Sequence, residues 1–237
     1  MITMLLWIGT IGMLLGTVAF IGLGLRAPAG SRYFYVITAL ITLIAFLSYL
    51  AMATGAGQTI VGDRVFYYAR YVDWVFTTPL LLLDLALLAL ARPGRNIGLI
   101  GGIIVLDIVM ILLGLWAGAT AGGGRYVLWF LSTVAMVALL YIVVTRLFAA
   151  AESQTPAVQS VFKTLAVLTV ILWSLYPVVW LVGAEGFNAI GQTGEVAGFL
   201  VLDLLAKVGF GFLLLTNRQA LSDIAGAQRQ SASSRVS

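Results

Sequence analysis

Asp203 and Lys207 stand four residues apart inside an otherwise apolar run, GFLVLDLLAKVGFGFLLLT, at residues 198–216. Four residues bring two side chains onto one face of a helix, so the carboxylate sits one turn from the amine. A charge at the centre of a membrane helix costs roughly 2.5 to 3.5 kcal/mol on insertion scales, so charges kept there point to function. A lysine buried in this way can form a Schiff base with a carbonyl ligand. The alternative is a plain structural ion pair. A second set lies in ARYVDWVFTTPLLLLDLALLALA, residues 69–91, where Asp73 and Asp84 are eleven residues apart. Eleven residues make about three turns of α-helix, which places both acids on one face about 16 Å apart along the axis. Arg70 and Thr77 share that stripe. Carboxylates at two depths of one stripe outline a directed path for a proton, whereas each acid alone could simply be hydrogen-bonded to a neighbouring helix.

The elements that must position these residues are membrane spans. The chain of 237 residues is 62% hydrophobic and 9% charged, with a mean hydropathy of +1.08, a composition that excludes a soluble domain. It has neither cysteine nor histidine. That removes disulfides, Cys/His metal sites, thiol chemistry and His-based hydrolysis, and no metal site is expected. The net charge of +4 sits mainly in connections and the tail, without the basic-aromatic patch that nucleic-acid binding needs.

Seven apolar segments of spanning length fall at residues 3–25, 33–54, 66–91, 96–118, 125–149, 160–183 and 192–216. The first is read as a retained span rather than a leader, because no positive charge precedes its long apolar run. Short, turn-rich connections such as Arg26-Ala-Pro-Ala-Gly and Ala91-Arg-Pro-Gly-Arg predict antiparallel neighbours in one bundle. The fold expected is an all-α, seven-transmembrane-helix domain over residues 1–222, followed by a disordered tail over 223–237 that is rich in Ser, Gln and Ala. Pro79 should kink the third helix. One side of the membrane holds Arg26, Arg32, Arg92, Arg95, Arg146, Lys163, Arg218, Arg229 and Arg235, and the other holds Arg64 and Arg125. The positive-inside rule then puts the N-terminus outside and the C-terminus in the cytoplasm of a plasma-membrane protein.

With Lys207 in the last span and RYVDWVFTTPLLLLD in the third, the chain resembles the archaeal microbial rhodopsins, in particular the bacteriorhodopsin-like outward proton pumps. The likeness extends to LDIVMILLG at 106–114, WFLSTVAM at 129–136, YPVVWLVGAEG at 176–186 and LDLLAKVGFGF at 202–212. It departs at Leu128, where such pumps often carry a second aromatic, and in the connection FNAIGQTG. The resemblance implies all-trans-retinal bound to Lys207 as a protonated Schiff base that isomerises in light. It implies roles for Asp73 as primary counterion and first proton acceptor, Asp203 as second counterion and Arg70 as a switching guanidinium. Asp84 becomes the proton donor, with Thr38 hydrogen-bonded to it, and Glu185 with Glu195 the pair that releases the proton. The retinal box it implies comprises Trp74, Thr77, Thr78, Leu81, Met110, Gly114, Trp129, Ser132, Thr133, Met136, Trp173, Tyr176, Trp180 and Ala206. Tyr49 and Tyr176 would hydrogen-bond Asp203.

Physical chemistry agrees with these roles. Two anions at Asp73 and Asp203 balance the cations on Lys207 and Arg70. Asp84, with no cation in view in an apolar half, is expected to hold its proton until it donates. Two acids close together at Glu185 and Glu195 can share one proton, although ordinary surface acids would read the same way. Trp173, Tyr176 and Trp180 recur at three and four residues around Pro177, one stripe able to clamp a flat polyene. Asp107 is expected to be neutral and bonded to Thr78 in a structural role. The competing function is a phototaxis sensor of the sensory rhodopsin type, or a form intermediate between pump and sensor, signalling through a membrane transducer. Asp84 and the apolar Val201 and Ala206 favour the pump. Membrane lipids and a homotrimer are the partners the resemblance implies.

Overall fold

The computed structural model describes residues 1–233. Seven helices are long and apolar enough to cross a membrane: α1 (Ile2–Gly24), α2 (Arg32–Ala53), α3 (Tyr68–Ala89), α4 (Ile97–Ala119), α5 (Gly124–Ala151), α6 (Pro156–Val182) and α7 (Gly191–Leu215). All seven fall within a few residues of the segments marked on the sequence. Consecutive helices pack side by side, and α7 lies against α1 and α6, so the bundle closes into a ring. Burial is uneven in a way that locates function. In the most apolar window of α3, 61% of residues are inside the bundle, and 56% in α7, against 22% in α4 and in α5. The two helices carrying the ionisable residues are therefore the central ones. The outward faces are apolar, for example Ile11, Leu15 and Val18 on α1 and Val127, Val134 and Val137 on α5. Lipid contacts these faces, and the chain is a multi-pass protein of the plasma membrane.

Local sequence explains the start of α6. Thr155 caps α6, accepting from the Val158 amide at 3.5 Å, with Pro156 at the first helical position where its missing N–H is harmless. Pro79 and Pro177 lie inside α3 and α6 without ending either helix. Two helices contain a π turn, over Val143–Leu147 in α5 and over Leu204–Gly209 in α7. The second contains Lys207 and follows Asp203 directly. Just beyond it, Gly211 lies so close to the Phe20 ring and the Thr38 methyl that a Cβ there would collide with both.

Two features depart from the sequence reading. The connection between α2 and α3 forms a small antiparallel hairpin, β1 (Thr59–Val61) and β2 (Arg64–Phe66), with Val61 paired to Arg64 and Gly62 at φ +64° in the two-residue turn. The tail expected to be disordered from residue 223 is instead helical to Ser233, as α8 (Arg218–Ser233). The cause is a short stripe, Ala220, Leu221, Ile224 and Ala225, buried against the α1–α2 connection and α6. Thr155 Oγ1 also donates to Asp223 Oδ2 at 2.6 Å. Residues 234–237 of the expected tail lie outside the described residues, as do Arg235 and the side chain of Arg229 from the charge count. Below, the end of the bundle carrying β1 and β2 is the hairpin end, and the end carrying α8 is the tail end.

Candidate functional site

The lysine amine lies at the centre of the bundle. Lys207 is 1% exposed, as are Asp73 and Asp203. Its Nζ donates to Asp73 Oδ2 across the bundle and to Asp203 Oδ1 at 2.9 Å along its own helix. The two carboxylates are not equivalent. Asp203 also accepts from Tyr49 at 2.8 Å, Tyr176 at 2.9 Å and the Trp74 indole at 3.2 Å. Asp73 accepts from Lys207 with the Thr77 hydroxyl beside it, and its Oδ1 is buried without a hydrogen-bond partner. Four donors converge on Asp203, whereas Asp73 has an oxygen that no protein donor reaches. The Thr77 hydroxyl donates to the Asp73 carbonyl at 2.9 Å, which holds it on the same stripe.

From the amine a cavity with about 730 Å³ of atom-free space extends between α3, α4, α5, α6 and α7. Of the box residues named from the sequence, all line it except Thr77 and Tyr49, which lie beside the carboxylates. Tyr71, Ile111, Pro177 and Phe199 line it too and were not foreseen. Hydrogen bonds satisfy the polar groups in the wall. Trp129 donates to the Pro177 carbonyl at 3.1 Å, a carbonyl-to-indole tie between α5 and α6, and Ser132 donates to the Met110 carbonyl at 2.8 Å. Trp129 stacks on Trp180 with ring centroids 6.2 Å apart. The result is an aromatic-walled slot with one reactive polar group at its end.

Toward the hairpin end, Arg70 does not approach the two aspartates. Its Nη1 lies 3.3 Å from Glu195 Oε1 and 3.6 Å from Glu185 Oε1, and the guanidinium sits over the Phe199 ring at 4.3 Å. Both glutamates are buried, Glu185 at 1% and Glu195 at 0% exposure, which overturns the surface-acid alternative. Glu195 Oε2 accepts from the Glu185 amide at 2.9 Å. Tyr71, one residue past Arg70, donates to Glu185 Oε2 and accepts from the Trp180 indole at 2.9 Å. Burial first, and then the Glu195 charge, push the Glu185 carboxyl up to about 7, against the opposing pull of Arg70, Tyr71 and Arg64. Sequence reasoning assigns Tyr71 no role. Its position next to Arg70 in RYVD was the only available clue.

Toward the tail end, Asp84 is fully buried, and its one partner is Thr38, whose hydroxyl lies 3.1 Å from Oδ2 and 2.8 Å from the Phe34 carbonyl. One hydroxyl proton cannot serve both oxygens fully. When Asp84 is protonated it can donate to Thr38, leaving the threonine proton for Phe34; when Asp84 is ionised the threonine can turn to it. Among the described residues no cation pairs with Asp84. The Thr78 hydroxyl lies 2.7 Å from Asp107 Oδ2 and 2.7 Å from the Trp74 carbonyl, linking α3 to α4 as expected.

Seven closed helices around a slot that ends on a buried lysine, with carboxylates on both sides of it, define a seven-helix membrane protein with an internal chromophore-type pocket. The slot, the amine and the counter-charges fit a long, flat, apolar carbonyl compound. Residues 1–221 match the model of the bacteriorhodopsin-like protein family, and the chain belongs to that family. It is 49% identical over 227 residues to a bacteriorhodopsin of Haloterrigena sp. (strain arg-4), covering 93% of this chain and 89% of the relative. It is 45% identical to archaerhodopsin-1 of Halorubrum ezzemoulense, with 93% and 86% covered. Among solved structures, a thermophilic rhodopsin from Rubrobacter xylanophilus is 60% identical, superposes with a TM-score of 0.94, and is matched over 95% of this chain and 100% of that one. A light-driven proton pump from Leptosphaeria maculans is 36% identical with a TM-score of 0.85, with 94% and 96% covered. Family membership implies a retinal chromophore and a transporter rather than a conventional enzyme.

Proposed function

We propose that this chain is a light-driven proton pump that moves protons from its tail end to its hairpin end, with retinal held on Lys207. The observation that carries the reading is the placement of Asp73 and Asp84 on one helix, the first bonded to Lys207 Nζ and the second isolated toward the other end. When bound as a protonated Schiff base, retinal supplies light absorption and an isomerisation that reorients the nitrogen of Lys207. The remaining steps belong to the protein. Asp73, with an open oxygen, accepts the proton from Lys207 Nζ, while Asp203 stays ionised under its tyrosine and indole donors. Neutralising Asp73 removes a negative charge from the centre, so the field on Arg70 favours the acidic pair still further. Glu185 and Glu195 then lose their shared proton toward the hairpin end. Asp84 returns a proton to Lys207 Nζ, and Thr38 turns its hydroxyl to the anion left behind until Asp84 takes a new proton from the tail end; Asp73 passes its proton to the emptied acidic pair, which restores the starting state. The charge asymmetry of the connections supports a hairpin end outside and a tail end in the cytoplasm, which makes the transport outward. An Asp84 with its own hydroxyl partner counts against a transducer-coupled sensor.

The test is the light-induced pH change of unbuffered cells expressing the protein with added all-trans-retinal. Acidification that a protonophore abolishes is expected. A protein that binds retinal and cycles without any pH change would overturn the pump reading.

A further inference from the structure

The hairpin end contains a second buried arginine for which the transport steps above have no use. Arg64, on β2, is 8% exposed and donates from Nη2 to the carbonyls of Gly118 at 2.7 Å and Thr120 at 3.2 Å. These are carbonyls at the C-terminal end of α4, where a cation is favoured. Gly118 joins the two groups. A Cβ on it would run into the Glu185 carboxylate on one side and the Phe66 ring on the other. The bare α-carbon therefore lets Glu185 rest on the same residue whose carbonyl holds Arg64. Arg64 and Glu185 form no direct ion pair, but they face one another across a single peptide in a site closed to solvent.

We propose that Arg64 is a fixed second cation of the acidic pair, positioned through Gly118 to set the pH at which Glu185 and Glu195 give up their shared proton. This rests on the release role assigned to that pair. Arg70 and Arg64 act differently. Arg70 hangs from α3 on a long side chain, bonded only to the carboxylates, and is free to change its distance. Arg64 is tethered by two backbone carbonyls, and its strand is held to α7 by the Gln192 amide, which donates to the Val65 carbonyl at 2.9 Å. One arginine supplies a field that changes during transport, and the other a constant offset. The groups facing Glu185 are Glu195 on α7, Arg70 and Tyr71 on α3 and Arg64 on β2, with Arg125 on α5 holding the neighbouring Gly186 carbonyl at 3.0 Å. Removing Arg64 takes away a positive charge, so the pair holds its proton more tightly and release moves to higher pH.

The experiment uses the retinal-loaded protein in lipid nanodiscs, flashed in the presence of a pH-indicator dye. The fraction of protons appearing before the chromophore recovers is followed from acid to alkaline pH. Arg64→Gln and Arg64→Met, the latter keeping an apolar stem, should move the midpoint of prompt release up by roughly half to one pH unit. Arg64→Lys, which keeps the charge, should leave it within a fraction of that. A purely structural arginine would lower the thermal midpoint in the variants without separating the neutral ones from lysine in the release profile. An unchanged midpoint in both neutral variants, or a lysine variant shifted as far as they are, overturns the assignment of Arg64. Parent protein that releases no prompt proton at any pH overturns the pair itself, which is a different and separable failure.

Discussion

Toward the hairpin end of the core, Arg70, Glu185, Glu195 and Tyr71 hold one another through charge and hydrogen bonds, with a second arginine close behind. Toward the tail end, Asp84 meets a single hydroxyl, on a stretch of α3 where Leu81, Leu82, Leu85 and Leu88 are all buried. In the proposed transport both regions store a proton, but by opposite means. A cluster of paired charges shares its proton among several oxygens, so a small displacement of one arginine changes where the proton is best held. An isolated acid in an apolar wall is kept neutral by the cost of burying an unpaired charge, and it gives up its proton only when a base appears beside it. The difference teaches that direction can be built from contrast. Where charges are dense the proton leaves easily, and where they are sparse it waits.

That contrast depends on the amine between the halves, so the largest effect is expected there. Lys207→Ala should abolish the visible chromophore in the presence of retinal, measured by absorption after reconstitution; a coloured variant would remove Lys207 from the attachment. Next comes the sparse half. Asp84→Asn should slow reprotonation of the lysine nitrogen by roughly 10² to 10³-fold, the usual worth of a positioned proton donor, and make the rate fall with rising pH. Flash photolysis at several pH values reads this directly, and an unchanged cycle would leave the tail half without a donor.

The smallest effect is expected in the dense half, as a stability difference. The Glu185 carboxyl is raised from 4.5 to about 7, through burial first and the Glu195 charge second. The folded chain therefore binds this proton more tightly than the unfolded chain. Its contribution to stability is complete below about pH 4.5 and drains away as pH rises to about 7. Glu185→Gln cannot ionise, so its thermal midpoint should hold level across that window while the parent loses a few degrees. Parallel curves for the two proteins would show that the acid is not held against ionisation, and the contrast between the halves would narrow.

Much of this architecture could be read from residue order. The four-residue step from Asp203 to Lys207 and the eleven-residue step from Asp73 to Asp84 carried over into contacts and depths, because helix periodicity converts spacing into direction. Arg70 shows what periodicity leaves open. Periodicity places its Cα on the stripe of Asp73, but a long side chain can reach away from its own stripe, and it goes to Glu195, which lies 125 residues further along the chain. Arg64 was invisible for a related reason. Its role depends on a hairpin register and on a glycine in α4, neither of which composition reveals. The tail helix was missed because four small apolar residues among Ser and Gln read as polar chain until a docking surface is supplied. The π turns were missed because they add a residue to a turn without changing the kinds of residue present.

The π turn over Leu204–Gly209 works as a phase correction. Before it, Asp203 must point at Tyr49 and Tyr176; after it, Gly211 must lie beneath Phe20 and Thr38. An α-helix advances roughly 100° per residue, so the azimuths of those two positions would be locked together in a regular helix. The wider turn acts as a vernier between them, letting the counterion end and the donor end of α7 be adjusted against different neighbours. Deleting any one residue from this segment would rotate everything beyond it and carry Gly211 off the threonine that serves Asp84, while leaving Asp203 untouched.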